Sequence, residues 1–514
     1  MVGFILRRIV VSVLVLLAAS FIMYMLAANA GDPLQDLRGS NAPNRDELIA
    51  ARVRALDLDV PPVLRYFLWL GGAAQCLVPV VGKCDLGSTI SNALVTDILP
   101  TAMMSTLQLV TVSLVVAIVL GVAVGIVTAL RQYSGFDFTV TFISFFLYSL
   151  PSFLVAVILK EFMALGFNDF LQSKTSIPLL AIVVISALSA ITWQAVVGGA
   201  AKRRFAVAGV SGVATAALLF YFNVTDWFRN PGLGPVGLFL FIVGTVIITT
   251  ALVAGLENRR ALIVAGINGA LGYLCYFLLQ GLFDISSLGT LMILGVVALA
   301  VGLVIGALLG GPDRGQAMQI GAIVAVLSGA YVVLDRFMQA WPRYTDSSRI
   351  RGRPIATVGA NTPGFTGDVW LTGIDLFTHL LLPTVALLLI SFAGYTRYAR
   401  SGLLEVMGQD YIRTARAKGL SERTVVMRHA LRNMLIPIAT LVATDVGALL
   451  GGAVITENVF AISGMGRLFV SSLMRVDVNP IMGYFLVIAI TAILFNFLAD
   501  LAYAALDPRV RVVA

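Results

Sequence analysis

The sequence predicts an all-α polytopic membrane protein of about twelve spans. Three observations lead there. Of 514 residues, 59% are hydrophobic and only 12% charged, whereas soluble domains carry about 25% charged residues. Apolar stretches of roughly 20 residues, enough to cross a bilayer, recur from one end to the other. Lys and Arg collect in alternate loops, as the positive-inside rule expects. The net charge of +8 is therefore read as loop charge facing the cytoplasm, and no nucleic-acid partner is expected.

The expected spans are 9–29, 103–130, 138–164, 176–198, 205–223, 234–256, 261–283, 286–309, 317–335, 376–397, 435–456 and 483–506. The first follows Arg7 and Arg8 and ends near Ala28-Asn29-Ala30, which resembles a processing site. The apolar run is longer than the roughly 7–15 residues of a signal core, so it is read as a retained span. With that end inside, "AAKRRF" (200–205), "ENRR" (257–260) and the C-terminal "DPRVRVVA" also fall inside. One loop, 336–375, falls outside yet holds Arg336, Arg343, Arg349, Arg351 and Arg353. The other long outside loop, 30–102, contains "LDLDVPPVLRYFLWLGG", the pattern of a short folded element. Cys76 and Cys84 lie in it and are either a disulfide or two free thiols; Cys275 sits in an apolar span as packing.

Several chemistries find no support. There are two histidines, His379 and His429, no HExxH and no paired CxxC, so no metal site is expected. No G-x-x-x-x-G-K-[ST] phosphate loop exists, so the chain itself should not hydrolyse ATP. No His, Cys or carboxylate cluster marks a membrane-embedded enzyme. A stand-alone secondary transporter should show two similar halves and buried coupling charges, and neither is found.

The polar exception is "DYIRTARAKGLSERTVVMRHALRNMLIP", residues 410–437, with six Lys or Arg against Asp410 and Glu422. A helix is expected up to Gly419, which can end it through positive φ. Ser421 then stands as the N-cap of a second helix with Glu422 in its first turn. Ile412, Ala415 and Gly419 share one face at helical spacing. That apolar face could insert into a groove on a partner, flanked by arginines; charge alone favours a helix lying on anionic lipid.

With its flanks, this stretch resembles the cytoplasmic coupling loop of permease subunits of binding-protein-dependent ABC importers, in the dipeptide, oligopeptide and nickel branch. The likeness extends to "THLLLPTVALLLISFAGYTRYARSGLLEVM" (378–407), "LLGGAVITENVFAISGMGRLFVSSL" (449–473) and "DLAYAALDPRVR" (500–511). Near the start, "FILRRIVVSVLVLL", "NAGDP", "WLGG", "CDLGSTI", "ILPTAMMSTLQL" and "SLPSFLVAVIL" resemble the same family. It covers 1–165 and about 340–514. Residues 166–340 read as six extra spans inserted into a six-helix core, an even number that preserves the downstream orientation. The segment 341–514, with coupling loop 398–434, completes the core. There are departures: Arg413, Thr414 and Ala415 stand where the family pattern begins Glu-Ala-Ala, and Ser463 replaces a proline.

The resemblance implies a type I ABC importer permease core that moves solute by alternating access. The implied cargo is peptides, with nickel or another small solute as the alternative. The implied partners are a second permease subunit, two ABC ATPases that bind ATP and Mg, and an extracytoplasmic substrate-binding protein, all in or on a lipid bilayer. No cofactor is implied for this chain. The coupling residues would be Arg413, Thr414, Ala415, Arg416, Ala417, Lys418, Gly419, Leu420, Ser421 and Glu422. Asp445, Thr444 and Asn496 are candidates for the translocation path; for Asp445 the competing reading is a helix–helix hydrogen bond beside Gly447, Gly451 and Gly452. Asp85, Glu457 and Asn458 are candidates for binding-protein docking. Lys160 and Glu161 read as interfacial charges. The inserted spans hold few polar residues, which suits an accessory bundle.

Overall fold

A computed structural model describes residues 2–41, 43–77, 84–173 and 175–506. The basic C-terminal segment 507–514 lies outside the described residues. In chain order the main helices are α1 (Val2–Ala28), α2 (Arg45–Ala55), α3 (Pro62–Leu77), α4 (Val95–Leu130), α5 (Gly135–Ser149) and α6 (Ser152–Ile158). Next come α7 (Leu179–Val197), α8 (Ala201–Val224), α9 (Gly234–Val253), α10 (Arg259–Leu278), α11 (Leu288–Leu309) and α12 (Arg314–Thr345). The last six are α13 (Val369–Met407), α14 (Asp410–Ala417), α15 (Leu431–Gly452), α16 (Val454–Val459), α17 (Met465–Met474) and α18 (Val478–Leu506). Among the described residues, 11 helices are long and apolar enough to cross a membrane. The count reaches 12 if α5 and the helical run Ser152–Gln172, bent by 102°, form one span. The chain is a multi-pass, all-α membrane protein.

Two compact units divide the chain. One comprises residues 1–163, 357–360 and 380–514; the other comprises 164–356 and 361–379. In the first, α4 is the organising rod. Its 36 residues make it roughly 50 Å long at 1.5 Å per residue, well beyond the ~30 Å hydrocarbon core. A buried cluster sits at each end. At the start of α4, Val95, Leu99 and Ala102 pack with Tyr66, Trp69 and Ala73 of α3, Tyr24 of α1 and Met482 of α18. This makes the first long loop a folded element: Tyr66 shares a 2.8 Å hydroxyl hydrogen bond with Ser20. Cys76 and Cys84 form a disulfide. Toward the far end, Leu114, Ala117 and Ala129 pack with Tyr395, Ala399 and Leu403 of α13. The close approach is enforced by Gly121 and Gly125, where an added Cβ would lie 2.7 Å from Tyr395 and 2.6 Å from Ala399. Small residues four apart permit such contact between membrane helices.

The second unit contains α7 to α12. Gly302 of α11 faces Gly321 of α12 so closely that a Cβ would lie 2.4 Å from the Gly321 carbonyl oxygen. Leu238, Ile242, Val264, Ala265, Ile320 and Val324 are buried where α9, α10 and α12 meet. Asp335 is 1% exposed and accepts hydrogen bonds from the amides of Leu233 (2.6 Å) and Gly234 (3.1 Å) at the start of α9. A carboxylate suits the positive end of a helix. No residue of α8 is buried. The excess of arginine in 336–375 has a local explanation. Arg336 pairs with Asp284, Arg343 with Asp368 at 3.2 Å, and Arg353 with Asp169 at 3.5 Å. Three of the five charges that conflict with the loop rule are thus matched by carboxylates of the same unit.

Candidate functional site

The loop after α13 folds into a compact, seated helix. α14 starts at Asp410 and buries Ile412 (0% exposed) and Ala415 (7% exposed). They pack against Leu403 of α13, Met434 of α15, and Val425 and Ala430 between α14 and α15. The C-terminus closes as sequence logic requires. Gly419 has φ +77°. Its amide bonds the Arg416 carbonyl at 2.9 Å, and the Leu420 amide reaches the Ala415 carbonyl at 3.4 Å. That pair of bonds is the Schellman closure, which needs a residue in the left-handed region. Ser421 caps the next turn, its hydroxyl accepting from the Thr424 amide at 3.4 Å. Arg416 clasps Glu422 through two bonds, 2.7 and 3.1 Å. That guanidinium holds the Glu422 carboxyl below the usual carboxylate range.

Two expectations change here. The apolar face of Ile412 and Ala415 is occupied by the protein's own core, so it is not available to a partner. Gly419 does not share that face; it is exposed beyond the helix end. What the loop presents outward is Arg413, Thr414, Arg416, Ala417, Lys418, Gly419, Leu420, Ser421 and Glu422, all exposed. The second helix is also not a separate short helix. Three α-helical residues, Glu422–Thr424, lead into a π-helical turn, Val425–Ala430, that continues into α15. The loop is therefore a rigid extension of two spans. A π turn inside a helix is uncommon and concentrates at functional sites.

Of the path candidates, Asp445 is half-buried and accepts a 2.7 Å hydrogen bond from the Tyr395 hydroxyl. This is the helix–helix bond that competed with a path role, made between α13 and α15. Gly447 lets α15 approach α18, with a Cβ built there 3.5 Å from that of Ala492. Thr444 is exposed, and its hydroxyl bonds the Leu441 carbonyl of its own helix at 2.9 Å. Asn496 is exposed. No hydrogen bond among the described residues joins the three. Gly451 and Gly452 fall outside the described side chains.

The docking candidates separate. Asp85 is exposed beside the disulfide, its Oδ1 accepting from the Gly87 amide at 2.8 Å. Asn458 is exposed and bonds the Val454 carbonyl. Glu457 is 0% exposed and cannot meet a docking protein, which corrects the sequence reading. Its Oε1 accepts from the Thr106 hydroxyl of α4 at 2.6 Å, and its Oε2 from the Arg467 amide in the first turn of α17 at 3.0 Å. The Thr106 hydroxyl oxygen in turn accepts from the Met465 amide at 2.8 Å. Gly464 must lack a side chain, because a Cβ there would lie 2.4 Å from the Glu457 carboxyl carbon. Burial pushes the Glu457 carboxyl up, opposed by these donors.

Sequence reasoning missed several partners. Lys160, read as an interfacial charge, donates to the Val459 carbonyl at the end of α16 at 2.8 Å. Arg400 of α13 grips Asp137 of α5 through two bonds, 2.7 and 3.0 Å. Opposite charges in neighbouring apolar segments were the available signal. Among the described residues, no group of three or more His, Cys, Asp or Glu could hold a metal.

Comparison with known proteins agrees with this architecture. The family described as binding-protein-dependent transport system inner membrane component matches residues 235–512, just over half of the chain. The match begins inside the segment read as inserted. The oligopeptide transport system permease protein OppB of Mycobacterium tuberculosis is 45% identical over 154 residues, 30% of this chain and 47% of that protein. The dipeptide transport system permease protein DppB of Escherichia coli K12 is 45% identical over 138 residues, 27% of this chain and 41% of that protein. A putative peptide permease protein of Brucella ovis is 36% identical over 236 residues, 44% of this chain and 70% of that protein. The chain thus spans about half the length of the first two relatives.

Proposed function

We infer, from the premise that the chain belongs to the binding-protein-dependent transport system inner membrane components, that it is the membrane-spanning subunit of an ATP-driven importer and that its cargo is peptides. The observation that carries this reading is α14: a short helix locked to the bundle by Ile412 and Ala415, with a basic outer face. Such a helix transmits force in both directions, because it cannot tilt without moving α13 and α15. A pair of ABC ATPases closing on ATP and Mg would push on Arg413, Arg416, Lys418 and Leu420. The spans would then switch between inward- and outward-open states. Ligands shift such an equilibrium only through differential affinity; ATP supplies it on one side and a loaded substrate-binding protein on the other. A second permease subunit would complete the path. The names of the relatives favour peptides over nickel or another small solute.

In this reading the protein sits in a bacterial cell membrane with both termini in the cytoplasm, and residues 166–340 form an accessory bundle. The direct test is affinity purification of the tagged chain from its native membrane, followed by uptake in vesicles. Recovery of ATPase subunits and ATP-dependent peptide uptake are expected. Recovery without any ATPase, together with uptake that ignores ATP, refutes it.

A further inference from the structure

We propose that a cavity between α4, α5 and α13 holds the phosphate-bearing headgroup of an anionic phospholipid. The cavity measures about 90 Å³ and is lined by Thr128, Ser144, Tyr148, Thr396, Arg397 and Arg400, among others. Its polar groups are unevenly satisfied. Arg400 is neutralised by Asp137, and the Thr128 hydroxyl donates to the Gly125 carbonyl of its own helix. Ser144 and Thr396 are 6% and 2% exposed, and neither hydroxyl has a hydrogen-bond partner. Buried hydroxyls without partners are uncommon in native structures and call for an explanation.

Arg397 supplies the charge. Its guanidinium lies over the Tyr148 ring, 4.3 Å from the centroid, and makes no ion pair among the described residues. Stacking fixes the plane of the fork and leaves its N–H groups for a ligand. A planar fork of donors matches the oxygens of a phosphate. Water could satisfy the two hydroxyls, but it would leave the arginine charge uncompensated.

Depth selects the source of the phosphate. Thr128 is two residues from the end of α4, and Arg400 is seven residues from the end of α13. At 1.5 Å per residue these positions lie within about 10 Å of the helix ends. Both helices overrun the hydrocarbon core, so the cavity falls at the headgroup level of one leaflet, on the side of α14. Juxtamembrane arginines at that level are where anionic lipid is recognised.

The test is native mass spectrometry of the full chain, isolated in detergent with its co-purifying subunits. The probes are dioleoyl phosphatidylglycerol, dioleoyl phosphatidylcholine, inorganic phosphate and trialanine. Retention of phosphatidylglycerol over phosphatidylcholine is expected. That preference should fall about tenfold in Arg397→Gln and be partly kept in Arg397→Lys, because a lone ammonium keeps the charge and loses the fork. Ser144→Leu, which fills the cavity, should abolish it. Tyr148→Leu, at an exposed position, provides a variant with little reason to misfold and should weaken it. Equal retention by the wild type and these variants overturns the proposal. So does displacement of the lipid by inorganic phosphate, which would mark a free-anion site, or by trialanine, which would place the cavity on the substrate path. The readout is lipid retention, so failure here leaves the importer reading untouched.

Discussion

Replacing Gly419 tests whether the turn after α14 acts through its backbone or through its contact surface. The residue sits at φ +77°, and a Cβ built there meets nothing within 4 Å. A larger side chain therefore costs conformational strain and no steric clash. Holding an ordinary L-residue in the left-handed region costs roughly 1–2 kcal/mol, more for a β-branched one and less for Asn. At 1.4 kcal/mol per factor of ten, Gly419→Val should reduce the population that holds the Schellman turn by about five- to thirtyfold. Gly419→Asn should stay near the wild type. The turn is exposed, so assembly and melting temperature should change little in either. The assay is substrate moved per ATP hydrolysed by the reconstituted transporter. A fall of at least about fivefold is expected for Val, with Asn close to wild type. Unchanged coupling in Gly419→Val refutes the lever role of the turn. Equal damage from Asn and Val refutes the conformational account, since both enlarge the contact surface and only Val is strongly strained.

Ile412→Ala removes a fully buried side chain and should destabilise the seat of α14 by about 2–5 kcal/mol; faster amide exchange confined to 410–434 is the expected readout. Cys76→Ser opens the 76–84 disulfide and should cost roughly 2 kcal/mol, seen as earlier proteolysis of the 30–95 region under non-reducing conditions. Asp477 is 4% exposed and accepts from the Ile90 amide at 2.9 Å. Burial pushes its carboxyl from 3.8 up to about 6, against the pull of that amide, Arg52 and Arg475. The folded state then binds the proton more tightly than the unfolded one, so this group makes stability fall as pH rises from about 4 to 6 and stay lower above it. The gap is worth at most ~3 kcal/mol; Asp477→Asn should flatten that slope in a thermal-stability profile, and an unchanged slope would contradict the assignment.

Much of the architecture was legible because lipid imposes it. A span is a long apolar run that must satisfy its own backbone, so hydropathy locates most of the helices; the expected span 138–164 is the exception, broken at Pro151 into α5 and Ser152–Gln172 with a bend of 102°. The turn at Gly419 and Ser421 was legible for a different reason: a positive-φ helix end and an N-cap are local backbone rules that tertiary context did not override. What could not be read was the direction in which side chains face. Ile412 and Ala415 carry the periodicity of a contact face, and periodicity says only that a face is buried, never by what. The same limit applies to Asp445, whose partner Tyr395 lies 50 residues away.

Glu457 shows how such a misreading carries mechanistic content. A carboxylate at the end of an apolar run looks like an exterior charge, yet here it is folded inward onto the start of α17 and onto Thr106 of α4. Breaking it open would leave a desolvated carboxylate, an unpaired Arg467 amide and an unpaired Thr106 hydroxyl, whereas removing it outright leaves only the amide and the hydroxyl. Glu457→Gln keeps the shape and one acceptor, but loses the charge that complements the helix N-terminus. Since α16, α17 and α4 converge on this one side chain, any rearrangement of those helices during transport must either carry the whole group as a rigid block or rupture it. The block is the cheaper course, because rupture exposes several buried polar atoms at about 1–3 kcal/mol each. The motion of this end is therefore expected to be a rotation of α16 and α17 together with α4, with the hinge placed elsewhere in the chain.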